Sequence, residues 1–211
     1  IDVGAASTRP GAKIIPLDEE WKRLQPPLKQ IRKKFPNIFL SVDTYHSIIA
    51  KKSADEGADI INDISGGNLD KKMLETVAKI NLPYVLTHLD GSPQTMSKNK
   101  EYTDVVEEVK HSFGKKIEIL KKKKFSKIIL DPGFGFGKSL RNNYDLLKHL
   151  KDFESLGFPM LAGLSRKSMI NKVIGTNPVT SLNGTTVLNT IALLNGANIL
   201  RVHDVGEAKQ A

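Results

Sequence analysis

The chain reads Lys127-Ile128-Ile129-Leu130-Asp131-Pro132-Gly133-Phe134-Gly135-Phe136-Gly137-Lys138, an apolar run that ends at an aspartate and a glycine-rich loop. The run has the length of a strand buried on both faces. The loop is not a Walker A loop, because Pro132 stands where a glycine is needed, and it fails the dinucleotide pattern at Lys138. Two interpretations remain: an active-site loop anchored by Asp131, or a connector in which Asp131 caps the next helix.

The same arrangement recurs along the chain, where short apolar runs alternate with amphipathic stretches. The predicted strands lie at 1–4, 38–43, 59–63, 83–88, 127–131, 158–163 and 198–203. The predicted helices lie at 18–35, 46–56, 69–80, 101–123, 142–156, 166–174 and 181–195. The first helix contains Pro26 and Pro27, which predict a kink or a restart because proline lacks a backbone donor.

Strict alternation of buried strands and helices indicates a parallel sheet with helices outside it. An open doubly wound sheet rarely uses seven such units in this length, whereas a closed (βα)8 barrel needs eight in about 250 residues. A first strand before residue 1 and a last helix after residue 211 would complete that count. We therefore predict an α/β fold, a (βα)8 TIM barrel without its first strand and last helix, in which residues 1–211 form a single domain.

Composition excludes several classes of protein. The 211 residues contain 39% hydrophobic residues, have a formal net charge of +9 and contain no cysteine. The last point excludes disulfides, thiolate zinc sites, iron–sulfur clusters and a cysteine nucleophile. The excess lysines are scattered over predicted helix faces and aromatic residues are only 6%, which argues against a nucleic-acid partner. No apolar run is long enough to cross a membrane and no signal peptide is evident, so we expect a cytoplasmic protein.

Polar side chains follow the predicted strands. Asp43, Asn62 and Asp131 each come at the end of an apolar run. In a barrel these carboxyl ends meet at one mouth, where catalysis takes place. Two carboxylates and an amide there would suit a heterocycle that bears N–H donors and a carbonyl, although Asp43 and Asn62 could instead cap helices. Asp63 follows Asn62 directly, so we expect it on the opposite face with a structural role.

Cationic side chains end the last strands. Alternation puts Arg201 and His203 on one face, which favours an anion site of the kind that binds phosphate. The alternative is that Arg201 pairs with a barrel carboxylate such as Asp2. Further cations and hydroxyls lie in residues 165–168 and 7–11, and no histidine or acidic spacing resembles a zinc site.

Six segments of the chain, taken together and in order, resemble dihydropteroate synthases of the folate pathway. The segments are Asp2-Val3-Gly4 with Ser7-Thr8-Arg9-Pro10-Gly11-Ala12, Ser41-Val42-Asp43-Thr44, Ile61-Asn62-Asp63-Ile64, Asp131 to Lys138, Ser165-Arg166-Lys167-Ser168 and Arg201-Val202-His203-Asp204-Val205. The resemblance spans nearly the whole chain. It implies a barrel enzyme that condenses 4-aminobenzoate with the diphosphate ester of 6-hydroxymethyl-7,8-dihydropterin, releases pyrophosphate, uses Mg²⁺ and is inhibited by sulfonamides. Family members are commonly homodimers.

The resemblance also implies roles for particular residues. The pterin N–H groups would be bound by Asp43, Asn62 and Asp131. Lys167 would donate to the carbonyl side of the pterin, and Arg201 and His203 would hold the diphosphate with Mg²⁺. The catalytic residues implied are Lys167, Asp131, Arg201 and His203. The aminobenzoate pocket would be shaped by Thr8, Arg9, Pro10, Phe136 and Ser168.

The chain departs from the family pattern at three places. The family's Asn-x-Thr-Pro-Asp-Ser-Phe loop, whose asparagine ligates Mg²⁺, is absent from this sequence, so no metal ligand is named. Ala5-Ala6 stands where Gly-Glu is common, and Thr87-His88-Leu89-Asp90 stands where Met-His-Met is frequent. The alternatives are a corrin-linked methyltransferase of related fold, a non-catalytic homologue, and a nucleic-acid-binding protein. Lys167 with Arg201 and His203 argues against the first, because methyl transfer has no diphosphate to hold.

Overall fold

The computed structural model describes residues 1–6, 15–92 and 101–211. The strands are β1 (Asp2–Gly4), β2 (Ser41–Asp43), β3 (Ile60–Asp63), β4 (Tyr84–Thr87), β5 (Ile128–Asp131), β6 (Leu161–Ala162) and β7 (Ile199–Leu200). The helices are α1 (Leu17–Lys34), α2 (Ser47–Asp55), α3 (Met73–Ile80), α4 (Val105–Lys122), α5 (Leu140–Lys148), α6 (Ser168–Ile174), α7 (Leu182–Leu194) and α8 (Val205–Gln210), with a 3-10 helix at Leu150–Leu156. Each of these strands lies inside the segment that the sequence predicts for it.

The sheet is parallel throughout and follows the chain order. β1 to β5 pair as neighbours, and β6 pairs with β7. A bridge between Leu130 and Met160, with a 2.8 Å hydrogen bond from the Leu130 N–H to the Pro159 carbonyl, continues the sheet from β5 towards β6. The seven strands therefore form one curved parallel sheet with the helices between them, as the alternation of the sequence predicts.

Alternation along each strand separates the two faces of the sheet. Val85, Ile129 and Leu161 pack with one another inside the barrel. Leu86 and Leu130, one residue further along β4 and β5, pack outside in the large core beneath the helices. Because side chains on a strand repeat every second residue, the last inward-facing position of each strand points into the mouth of the barrel.

Two helices differ from the sequence predictions in their continuity. Of the kink or restart predicted at Pro26 and Pro27, the restart does not occur: α1 runs without a break through both prolines and buries Leu24 and Leu28. Packing of this apolar face stabilises a helix that has lost one backbone hydrogen bond at each proline. The predicted helix at 142–156 is divided into α5 and the 3-10 helix, whose junction is at His149.

Among the described residues, no helix combines the length and the hydropathy that a membrane crossing requires. Helix α7 presents several apolar side chains to solvent, namely Val187, Ile191, Leu193 and Leu194.

Candidate active site

Three of the predicted site residues lie at the carboxyl ends of β2, β3 and β5, at the mouth of the barrel. Asp43 is aligned with Asn62 in the β2–β3 register, and Thr87 is aligned with Asp131 in the β4–β5 register. Asn62, Thr87 and Asp131 face inward because they follow Ile60, Val85 and Ile129 at a spacing of two. Asp43 faces inward because it follows Ser41, which lines the cavity inside the barrel, at the same spacing. The structure therefore brings Asp43, Asn62 and Asp131 to one place, as the sequence predicts.

Asp131 is buried and has unused capacity to accept hydrogen bonds. Within the described residues its carboxylate accepts one hydrogen bond, 2.8 Å long, from the Gly133 N–H. It does not cap the next helix, since Ser139 caps α5 by accepting from the Asn142 N–H at 3.1 Å. Burial raises the pKa of Asp131, and the ammonium groups of Lys167 and Lys138 oppose that rise. Asp131 is thus a buried carboxyl group whose pKa is displaced by its surroundings. Such groups are typical of functional sites.

Lys167 is the cation beside Asp131. It precedes α6, donates a hydrogen bond to the Phe134 carbonyl, and lies 5.0 Å from the centre of the Phe136 ring. Burial lowers the pKa of Lys167 to about 8, while Asp131 acts in the opposite direction and Arg201 in the same one. With a pKa of about 8, Lys167 is close to the point at which it loses its charge, and it can donate a hydrogen bond to a ligand carbonyl.

The guanidinium of Arg201 is paired with carboxylates at the mouth of the barrel. Its Nε donates to Asp2 Oδ2 at 2.7 Å, and its terminal nitrogen lies 3.4 Å from Asp43 Oδ2. Asn62 also donates to Asp2 Oδ2, at 3.2 Å. The pairing with Asp2 that the sequence offered as the alternative is thus present in this structure. Arg201 remains half exposed, so its outer edge is still open to an anion.

Asp43 completes this charged group. Burial raises the pKa of Asp43 to about 7, with a further rise from Asp2 and an opposing effect from Arg201. It does not cap α2, which begins after His46 without a side-chain cap.

His203 and Arg166 have structural partners. His203 Nδ1 lies 2.9 Å from Ser165 Oγ, and the ring is exposed at the rim. Arg166 is held by Asp204 through two hydrogen bonds of 2.9 and 2.6 Å. The basic segment 165–168 therefore offers Lys167 as its cation, while the anion site shared by Arg201 and His203 stays a prediction.

The remaining predicted residues are distributed over the rim. Ser168 is exposed at the start of α6. Phe136 packs with Tyr45, Ile64 and Leu89, which come from the loops after β2, β3 and β4. Thr8, Arg9 and Pro10 lie outside the described residues.

Asp63 has the structural role that the sequence predicts. It is fully buried on the outer face and accepts four hydrogen bonds of 2.7 to 2.8 Å, from Ser65 N and Oγ, Gly67 N and Tyr84 Oη. These bonds fix the turn that follows β3.

Three inward-facing or buried groups were not assigned to the site from sequence. Asp2 was considered only as a partner for Arg201, although its spacing from Gly4 places it on the inward face. The sequence pattern gives Lys138 no role beyond the loop, whereas in the structure it is buried and binds carbonyls of the loops after β4 and β5. Thr87 faces inward beside Asp131, and its buried hydroxyl has no hydrogen-bond partner within the described residues.

A cavity of about 310 Å³ lies inside the barrel below these groups. Its upper part is formed by Asp2, Asn62 and Arg201, and its wall is apolar, with Val85, Ile129, Leu161 and Ile199 among the lining residues. A concave, mostly apolar space with a few converging polar groups is the usual form of a small-molecule site.

The mouth offers oxygen ligands suited to Mg²⁺. No cluster of three histidine or acidic side chains is found in the described ranges. Mg²⁺, however, is commonly bound through one or two carboxylates together with substrate phosphates and retained waters. Asp2 Oδ1 is buried without a hydrogen-bond partner among the described residues and fits that requirement.

The fold and the site together define a class, an α/β-barrel enzyme whose mouth combines carboxylate, amide and cationic groups for a polar heterocycle and an anion. Residues 1–203 match the family model described as "Pterin binding enzyme". The chain is 41% identical to dihydropteroate synthase of Escherichia coli K12 over 213 residues, which covers 100% of this chain and 75% of that protein.

Solved structures of dihydropteroate synthases have the same fold as this chain. Dihydropteroate synthase of Yersinia pestis with a sulfonamide drug complex superimposes with a TM-score of 0.94 at 38% identity, covering 99% of this chain and 76% of the other. That of Xanthomonas albilineans with 4-aminobenzoic acid gives 0.92 at 36% identity, with 99% and 75% coverage. The chain belongs to the dihydropteroate synthase family of pterin-binding enzymes, and the predicted barrel and family are confirmed.

Proposed function

We propose that the residues at the mouth of the barrel perform the dihydropteroate synthase reaction with the roles that follow. The enzyme is a transferase of folate synthesis. It condenses 4-aminobenzoate with (7,8-dihydropterin-6-yl)methyl diphosphate to give 7,8-dihydropteroate and pyrophosphate, and it is a sulfonamide target.

The pterin is bound by the inward-facing polar groups. Asp131 accepts from the amino and ring N–H groups, with Asn62 and Asp43 binding the same heterocycle beside it. Lys167 donates to the carbonyl side, within reach of the loop that carries Phe134 and Phe136. This assignment uses the vacant acceptor positions of Asp131 and gives its buried charge a partner.

The diphosphate is bound on the side of the cations. Arg201 offers its exposed edge, and His203 lies at the same rim. Mg²⁺ would be held by Asp2 together with the diphosphate oxygens, and when bound it supplies Lewis-acid stabilisation of the leaving group.

The chemistry is a dissociative substitution. The bond between the pterin methylene carbon and the diphosphate oxygen breaks, and both electrons leave with pyrophosphate. Arg201 and His203 stabilise the negative charge that develops there, while the carboxylate of Asp131 stabilises the cationic pterin. The amine of 4-aminobenzoate then forms the new C–N bond and releases one proton to solvent. Phe136 and Ser168 border the aminobenzoate, together with Thr8 and Arg9 outside the described residues.

One observation carries this proposal: Lys167 and Asp131 lie together at the mouth, each with a pKa displaced by burial. Opposite charges that are buried near each other and left with vacant hydrogen-bonding capacity are typical of a ligand site.

The test is pyrophosphate release by the full-length gene product with the pterin diphosphate and Mg²⁺, with and without 4-aminobenzoate. We expect release that depends on aminobenzoate, and kcat/KM lowered at least about 100-fold in Lys167→Met and in Asp131→Ala. The control is Asp145→Ala, in the exposed part of α5, which should retain full activity. Tight pterin binding without release under any condition would instead indicate a non-catalytic homologue.

Four further properties belong to the proposal: one barrel domain over residues 1–211, a homodimer, a cytoplasmic location, and small-molecule substrates without a nucleic-acid partner. The exposed apolar side chains Val187, Ile191 and Leu194 of α7 support the dimer, because a contiguous apolar face favours burial against a second copy. Sedimentation analysis of Leu194→Glu tests it, with dissociation to monomers expected.

A further inference from the structure

Lys138 is a buried lysine held by backbone oxygens from two loops. Its ammonium donates to the carbonyl of Gly133 at 2.9 Å, of Phe136 at 3.2 Å and of His88 at 3.3 Å. The first two carbonyls belong to the loop after β5, and the third belongs to the loop after β4. A charged donor with three carbonyl acceptors at these distances joins the two loops firmly, since such bonds are stronger than neutral ones.

The two loops that Lys138 holds together meet at Gly133, two residues after Asp131. The backbone of Gly133 takes a left-handed conformation, with φ at 71°, and a Cβ there would lie 2.1 Å from the His88 carbonyl oxygen. The close approach of these two loops therefore requires glycine at 133. Gly133 N–H is also the donor to Asp131, so Lys138 binds the carbonyl of the same residue whose N–H orients the carboxylate.

Burial of an ammonium at this position needs an explanation beyond loop packing. Burying a charge is costly unless it is paired and hydrogen-bonded. Lys138 has the hydrogen bonds, and its charge also acts on the buried carboxylate of Asp131. A neutral side chain could fill the volume at lower cost, which suggests that the charge itself is used.

We propose that Lys138 is a positioning residue for the pterin site: it holds the β4 and β5 loops together at Gly133, whose N–H orients the Asp131 carboxylate towards the substrate N–H groups. The inference rests on the proposed function, because it assumes that Asp131 binds the pterin.

The charged groups that act on Asp131 are Lys138 from the β5 loop, Lys167 from the β6 loop and Arg201 from β7. Loss of Lys138 leaves the other two cations and removes the loop clamp. Deprotonation of Asp131 should then require a higher pH.

The experiment compares pH profiles of kcat/KM for pyrophosphate release by the full-length enzyme and its variants. In Lys138→Met we expect the acidic limb of the profile to move up by about one pH unit, and KM for the pterin diphosphate to rise more than kcat falls. Lys138→Gln retains hydrogen-bond donors without the charge, and it should show the same shift of the limb with a smaller rise in KM.

Lys116→Met is the matched control. Lys116 is another largely buried lysine whose ammonium contacts a backbone carbonyl, that of Ser65 at 3.5 Å, but it lies near Asp63 on the outer face. We expect its replacement to change stability without moving the acidic limb.

Unchanged acidic limbs in folded Lys138→Met and Lys138→Gln would overturn the proposal. Failure of both variants to fold would also overturn it, because Lys138 would then be required for the fold itself. A wild-type enzyme without aminobenzoate-dependent release would instead contradict the proposed function.

Discussion

Asp63 and Asp131 both end parallel strands, both are buried, and both have a pKa raised by burial, yet their surroundings differ. Asp63 accepts four hydrogen bonds, whereas Asp131 accepts one within the described residues. The lysine near Asp63 contacts Ser65, while Asp131 faces Lys167 and Lys138.

This difference distinguishes Asp63, a carboxylate that stabilises the fold, from Asp131, a carboxylate that can bind a ligand. A buried acceptor with every position filled stabilises its turn and cannot bind anything else. A buried acceptor with vacant positions and cations beside it is unfavourable for the isolated protein and favourable once a donor-rich ligand arrives. Three variants test the distinction, each in a different way.

Replacement of Asp63 should have the largest effect on stability. In Asp63→Asn an amide nitrogen replaces one of the two accepting oxygens, so the buried groups that donate to that oxygen lose their acceptor. We expect the free energy of unfolding to fall by about 3 kcal/mol. Urea denaturation measures this, with Asp145→Asn as the exposed control. A loss below about 1 kcal/mol would show that the four bonds contribute little.

A change of pH should alter stability through Asp43 at the mouth. The pKa of Asp43 is about 7 in the folded chain and near 3.8 when unfolded, so the folded state binds the extra proton between these values. Stability must therefore decrease as pH rises from about 4 to 7. We expect Asp43→Asn to remove about 2 kcal/mol of this decrease, discounted for partial solvent screening. Denaturation at both pH values gives the slope, and identical slopes would contradict the interpretation.

Removal of one of the four bonds to Asp63 should have the smallest effect. Tyr84→Phe deletes a buried hydroxyl that donates to Asp63 at 2.7 Å and keeps the ring in the core. We expect a loss of about 1 to 2 kcal/mol in the free energy of unfolding, with unchanged kcat/KM. The matched control is Tyr144→Phe, whose hydroxyl donates to the Met169 carbonyl at 3.2 Å. Reduced activity in Tyr84→Phe would connect the outer face to the site.

The assignment of faces could be predicted from sequence. Adjacent positions on a strand point to opposite sides, so Asn62 and Asp63 had to differ once the strand was recognised. The same reasoning brought Asp43 and Asp131 to the mouth, because the carboxyl ends of parallel strands meet there.

Contacts that depend on the folded chain could not be predicted in this way. The ammonium of Lys138 binds backbone carbonyls, and because every residue has a carbonyl, no residue type in the sequence indicates these partners. Arg201 pairs with Asp2, almost two hundred positions away in the sequence. The alternation of side chains along the last strand could not decide between that pairing and an open anion site. The continuous α1 shows packing overriding the local preference of Pro26 and Pro27.

The most direct test of the contrast is calorimetric titration of Asp131→Asn and Asp63→Asn with the dihydropterin diphosphate, each variant first shown to be folded. Asparagine conserves the volume of either side chain and removes only the charge and one acceptor. We predict that Asp131→Asn loses at least about 100-fold in affinity with little loss of stability, while Asp63→Asn binds within about threefold of wild type. Wild-type affinity in Asp131→Asn, or an equal loss in both variants, would contradict the separation of the two carboxylates.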